Sequence, residues 1–214
     1  DQDDVWYGDK IQVLLGKIKE LEAECGDDHP ILVHSDLEVT DQNLNIINSS
    51  LFAHNGTNPY RNTLAQLLVE NPVTGGAVML NGPLAAYFQT PPKCCFMHDW
   101  WMAAVAARFG KIIYLDEPLS LYRQHGGNSV GAKRVGSAGY IAGMMGNLRG
   151  VREMILRKKS QAGVFEETYT ALLTAEDRQF LSRMKQSRSG IRFYLKNRGY
   201  IHGFFRFMGW IMLG

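Results

Sequence analysis

An amphipathic-helix signal that runs straight into a buried-strand signal constrains this chain most. Ile11, Leu14, Leu15, Ile18 and Leu21 recur at helical spacing with polar residues between them, which predicts a helix from Asp9 to about Glu24. Gly26-Asp27-Asp28-His29-Pro30 ends it, and Ile31-Leu32-Val33-His34-Ser35 follows as an apolar run of strand length that closes on the acidic turn Asp36-Leu37-Glu38. A helix feeding a strand is the grammar of an α/β domain. At 214 residues, 45% of them hydrophobic, the chain suits one compact domain or one domain with an appendage, and disorder and collagen-like repeats are excluded.

The same grammar continues downstream. Tyr60 to Val69 reads as helical, and the Asn-Gly pair at 55 and 56 marks a turn. Asn71-Pro72-Val73-Thr74-Gly75-Gly76 opens a short strand, Ala77 to Leu80. After Pro91-Pro92, His98-Asp99 precedes the Ala-rich segment Trp100 to Ala107, read as a buried helix with the acid in its first turn and Gly110 at its end. Lys111 to Leu115 reads as a strand, Glu117 to Arg123 as a second extended piece, and Gln124-His125-Gly126-Gly127-Asn128 as a flexible loop. Beyond about Ser137 the pattern is helical: one helix to about Lys159, a second after the cap signal Thr174-Ala175-Glu176-Asp177, then a basic stretch. The natural division is a body of 1–130 and a helical extension of 131–214.

Charge follows that division only in part. Eight basic residues and no acid lie between Arg178 and Gly214, leaving 15 basic against 21 acidic residues before them. An acidic body with a basic tail points to an anionic surface as partner. Cys25, Cys94 and Cys95 form no even disulfide framework and imply a reducing compartment. No run approaches the roughly 20 apolar residues that span a bilayer, and the acidic start is unlike a signal peptide. Since the first residue is Asp1 and not Met, the expectation is a processed chain or a fragment.

Several residues are candidates for chemistry, each with a plain structural alternative. Asp1-Gln2-Asp3-Asp4 packs three carboxylates into four residues; oxygen donors of this kind suit hard ions such as Mg²⁺ or Mn²⁺ on a phosphate, and the alternative is a solvated acidic turn. Asp99, at the mouth of an apolar helix, is a candidate general base or a helix-capping acid. His125, followed by glycines, is a candidate metal or phosphate ligand or a solvated loop histidine. Cys94-Cys95-Phe96-Met97-His98 lacks the second ligand pair of a zinc site, so incidental thiols are the better account. No Walker loop, dinucleotide Gly-x-Gly-x-x-Gly or Gly-x-Ser-x-Gly elbow is present.

The order of these pieces is more specific than any one of them. Asp1-Gln2-Asp3-Asp4-Val5-Trp6, His34-Ser35-Asp36-Leu37, Asn71-Pro72-Val73-Thr74-Gly75, Met97-His98-Asp99-Trp100-Trp101 and Tyr122-Arg123-Gln124-His125-Gly126 together resemble the family 2 glycosyltransferases, and among them bacterial rhamnosyltransferase-like enzymes of surface-polysaccharide synthesis. The resemblance covers about residues 1–130. It implies a GT-A fold and an inverting transfer of a sugar such as L-rhamnose from a nucleotide-diphosphate donor to a saccharide or lipid-linked saccharide. Asp3 and His125 would hold Mg²⁺ or Mn²⁺, Asp1 would lie nearer the nucleotide sugar, and Asp99 would be the catalytic base. Arg123 would steady the leaving diphosphate, Thr74 and Gly75 would shape the acceptor side, and Trp100 and Trp101 would form an apolar wall or sugar platform, with a core role an equally good alternative.

The resemblance also sets an expectation of truncation. In the family the acidic motif follows a half of alternating strands and helices that grips base and ribose, so this sheet would lack its first strands and donor binding would be weak or lost. In the tail, Arg188, Arg192, Lys196, Arg198 and Arg206 alternate with Phe193, Tyr194, Phe204, Phe205, Phe207 and Trp210, a mixture suited to the inner face of the cytoplasmic membrane or to a core-packing helix with a basic face. The alternative functions are a non-catalytic membrane-associated remnant of the same fold and a nucleic-acid binder. The last is disfavoured by the acidic body and by the absence of any motif that reads RNA or DNA.

Overall fold

A computed structural model of the chain describes residues 3–88, 92, 95–125, 143 and 146–186. It is an α/β fold with a five-stranded mixed sheet. Strand β1 is Val5–Trp6, helix α1 is Lys10–Cys25, β2 is Ile31–Thr40 and β3 is Ile46–Asn48. After them come α2 (Leu51–Asn55), α3 (Leu64–Val69), β4 (Val78–Leu80), α4 (Gly82–Ala85), α5 (His98–Phe109) and β5 (Lys111–Arg123). Two helices, α6 (Leu148–Tyr169) and α7 (Ala175–Gln186), complete the described elements.

Strands β2 and β5 form the centre. They pair in parallel from Ile31 opposite Lys111 to Thr40 opposite Arg123, and every residue of β2 except Glu38 is buried. The other edge of β2 is shared: β4 pairs antiparallel with its first half and β3 with its last residues. Strand β1 pairs antiparallel with the far end of β5, Val5 opposite Leu121. Because side chains alternate across a strand, β2 sends Ile31 and Val33 to one face and Leu32 to the other. On the first face they meet Leu14, Ile18 and Leu21 of α1 together with Leu119; on the second, Leu32 and Ile112 meet α3, α5, α6 and α7. Helices on both faces are what a sheet with a parallel centre requires.

Two small residues fix where the central strands begin. A Cβ on Gly110 would lie 2.1 Å from the Pro30 carbonyl oxygen, so only glycine lets the end of α5 pass beside the start of β2. The buried Asn81 side chain accepts from the Ile31 and Leu84 N–H groups and donates to the His29 carbonyl, tying β2 to the N-cap of α4.

The structure departs from the sequence expectations in several places. The strand expected to close on an acidic turn at Asp36-Leu37-Glu38 runs on to Thr40, and the helix expected from Tyr60 begins at Leu64, behind its Thr63 cap. Ile11 and Leu15, counted in the apolar face of α1, are exposed, because the sheet meets only the stripe of Leu14, Ile18 and Leu21. The two extended pieces at 111–115 and 117–123 are one 13-residue strand, and Pro118 is accommodated where the β2–β5 register shifts. The helix expected to end near Lys159 continues to Tyr169, with Gln161, Ala162, Phe165 and Tyr169 buried. Residues 146–186 of the expected helical extension pack against the body. Ile155, Ala162, Phe165, Leu181 and Met184 belong to the same core cluster as Leu32 and Ile112, and Arg108 of α5 pairs with Asp177 of α7 at 2.5 Å. Residues 187–214, which carry most of the basic tail, lie outside the described residues.

Candidate functional site

Of the expected site residues, Asp3, Thr74, Gly75, Asp99, Arg123 and His125 lie at the end of the sheet where β1, β5 and the Thr74-Gly75-Gly76 turn meet. One side is built from the chain start and the end of β5. The Asp4 carboxylate accepts the Arg123 backbone N–H at 3.2 Å, which docks the acidic segment onto the last residue of β5. His125, two residues on, thereby reaches Asp3: its Nε2 lies 2.9 Å from Asp3 Oδ2. Among the described residues that oxygen, though covered, has no hydrogen bond of good geometry; the Asp3 and His125 side chains are 33% and 38% exposed. The fold thus brings together two residues 122 apart that the sequence singles out as metal ligands.

The other side is built around Asp99, which is 6% exposed in the first turn of α5. Met97 holds the N-cap position, so Asp99 is not the capping residue, though it accepts the N–H of Trp100 at 2.6 Å. Its second oxygen accepts the Gly75 N–H at 3.1 Å. Burial pushes the carboxyl above the usual aspartate range, opposed by the Trp100 N–H, the charge of His98 and the Gly75 N–H. An acid so placed is a stronger proton acceptor than a solvated one, and the backbone donors keep it oriented. A Cβ on Gly75 would lie 2.7 Å from Nε2 of the exposed His98, a side-chain end that can swing aside, so glycine keeps this approach open without being obligatory.

The turn joins the two sides. Thr74 precedes a single 3₁₀ turn, Gly75–Ala77, closed by the Ala77 N–H on the Thr74 carbonyl at 2.8 Å. Gly75 faces Asp99, and Gly76 faces Asp4, whose Oδ2 would be 3.5 Å from a Cβ there. Lys10, which the sequence reading did not single out, also meets this turn: its Nζ donates to the Gly76 carbonyl at 2.5 Å. A lysine in a helix-start pattern gives no signal of such a role; only the tertiary contact reveals it.

The tryptophans require a correction. Both are buried, and neither offers a face to a ligand. Trp100 donates its indole N–H to the Leu67 carbonyl, with the Lys158 ammonium 4.8 Å from its ring. Trp101 packs on Phe165 and Tyr169 of α6. They are core residues that brace the helix bearing Asp99. Helix α6 adds a polar brace, because the Gln161 side chain accepts the Phe96 N–H at 2.8 Å and the buried Lys158 donates to the Val69 carbonyl at 3.0 Å.

Other expectations find simpler places. Cys25 is exposed, and Cys95 donates to the Met97 carbonyl at 3.0 Å. Asp1, Cys94 and the glycines after His125 lie outside the described residues. Among the described residues no three or more His, Cys, Asp or Glu side chains are gathered as a metal cage, and no helix is long and apolar enough to cross a membrane. No family model, curated protein or solved structure matches the chain.

Proposed function

We propose that the chain is the metal and acceptor side of an inverting, nucleotide-diphosphate-dependent glycosyltransferase of GT-A type. The observation that carries this reading is the convergence of Asp3, Asp4, His125 and Asp99, drawn from three distant stretches of sequence, around one glycine turn.

The metal is a matter of fit. Asp3 Oδ2 is covered, lacks a well-formed hydrogen bond and sits 2.9 Å from His125 Nε2. Magnesium sites held by one or two carboxylates complete the shell with water and substrate phosphate. Asp3 and His125 would hold Mg²⁺ or Mn²⁺ there, and the ion would stabilise charge developing on the departing diphosphate. Arg123, whose backbone anchors Asp4, would steady the leaving diphosphate.

Asp99 accepts the proton of the attacking sugar hydroxyl. Its raised proton affinity suits that step, and its rigid setting between the Gly75 and Trp100 N–H groups holds the carboxylate still while charge moves. One base and no second nucleophilic carboxylate gives a single displacement with inversion. The acceptor is a saccharide or lipid-linked saccharide, shaped at Thr74 and Gly75, and the basic tail holds the protein peripherally on the inner face of the cytoplasmic membrane.

Calorimetric titration with Mn²⁺, followed by UDP or dTDP, tests the reading. Binding that Asp3→Ala weakens by about tenfold or more, with the fold intact, is the expected result. Unchanged metal binding in that variant contradicts the assignment. Metal-independent association with anionic vesicles and no nucleotide binding would instead favour the non-catalytic remnant.

A further inference from the structure

Lys10 occupies an unusual position for a cation. It is 2% exposed at the first turn of α1, with its ammonium 2.5 Å from the Gly76 carbonyl, 3.3 Å from Ser120 Oγ and 4.1 Å from the centre of the Trp6 ring. Burying a lysine is costly unless its charge is answered, and here Asp4 is the opposing charge. A solvent-facing lysine at this point of α1 would stabilise the helix equally well, so burial calls for another cause. The contacts supply one, because Gly76 follows Gly75, whose N–H holds Asp99. The same two-residue turn is therefore gripped from α1 on one side and from α5 on the other.

We propose that Lys10 is a positioning residue that fixes the Gly75–Gly76 turn and so sets where the Asp99 carboxylate stands relative to Asp3, Asp4 and His125. Its importance for catalysis rests on the transferase reading; its hold on the turn does not. Without Lys10 the Gly76 carbonyl loses its charged donor, the turn loosens, and the Gly75 N–H spends less time on Asp99. Asp4 alone cannot replace this grip, since both it and the carbonyl accept hydrogen bonds.

The test is amide hydrogen exchange on the isotope-labelled chain, which needs neither substrate nor turnover. Lys10→Met is expected to speed exchange of the Gly75 amide by about tenfold or more while the Leu32 and Val33 amides of β2 keep their protection. In the same variant the Asp99 titration midpoint rises, because a hydrogen bond to its charged form is weakened. Lys10→Arg restores most of the protection. Should Lys10→Met fail to fold, Ser120→Ala, which removes only the second acceptor, is expected to speed Gly75 exchange several-fold. Unchanged Gly75 exchange in a folded Lys10→Met chain, or in Ser120→Ala when Lys10→Met does not fold, overturns the proposal. Loss of protection spread evenly over β2 and the turn also overturns it, as that marks a purely structural lysine. A wild-type chain with no metal binding or transfer would count against the transferase reading, and the Gly75 result would still decide the role of Lys10.

Discussion

The two sides of the candidate site are built on opposite principles. The Asp3–His125 side is about one-third exposed and is held by contacts at the end of β5. The Asp99 side is buried, anchored by two backbone N–H groups and braced from behind by α6. An open, polar side can exchange an ion and its waters, whereas a closed side keeps a carboxylate short of water and eager for a proton. Chemistry that couples a mobile cation to a fixed base needs both, and the Gly75–Gly76 turn is the joint between them.

Perturbing each side separately sharpens that contrast. The largest effect is expected on the closed side: Asp99→Asn should lower kcat by about 10²–10⁴-fold, with Mn²⁺ affinity unchanged by calorimetry. Equal loss of metal binding would mean that the two sides are one electrostatic unit. Next in size, Trp101→Ala should cost about 3–5 kcal/mol in urea unfolding, since it empties the contact between α5 and the Phe165–Tyr169 pair. A cost below about 1 kcal/mol would show that α6 does not brace the closed side.

The smallest effect tests the sheet beneath both. His34 is fully buried against Phe52 and Tyr114, and burial pushes its imidazole down to about 4 from 6.5. Between those values the unfolded chain binds a proton that the native chain refuses, so stability falls as pH drops from about 6.5 to 4. A shift of that size is worth about 3 kcal/mol, which His34→Phe should abolish in unfolding curves taken across this range. Parallel pH profiles for the two proteins would refute the assignment.

What the sequence revealed follows from what is local. The core of α1, the apolar β2, the Ala-rich α5 and the cap before α7 all advertise themselves through spacing and end signals within a few residues. Asp3, His125 and Asp99 were legible as candidates because their residue types and order carry chemistry, but their meeting was not, since it depends on contacts across about a hundred residues. Two-residue β1 and three-residue β3 have too little pattern to read. The tryptophans were ambiguous for a related reason: an indole suits a sugar face or a core equally, and the core reading, weighed from the start, is decided by Phe165 and Tyr169 of α6. Lys10 was silent because a buried lysine and a surface lysine look alike in sequence.

The measurement that tests the central claim most directly is paramagnetic line broadening by Mn²⁺, followed residue by residue in the isotope-labelled chain. The account predicts that substoichiometric Mn²⁺ broadens the His125 imidazole first, then the amides of Gly75, Gly76 and Arg123, and leaves the core around Trp101 and Phe165 sharp. Broadening centred elsewhere, for example at Glu38 and Asp116, or no site-specific broadening at all, would contradict it.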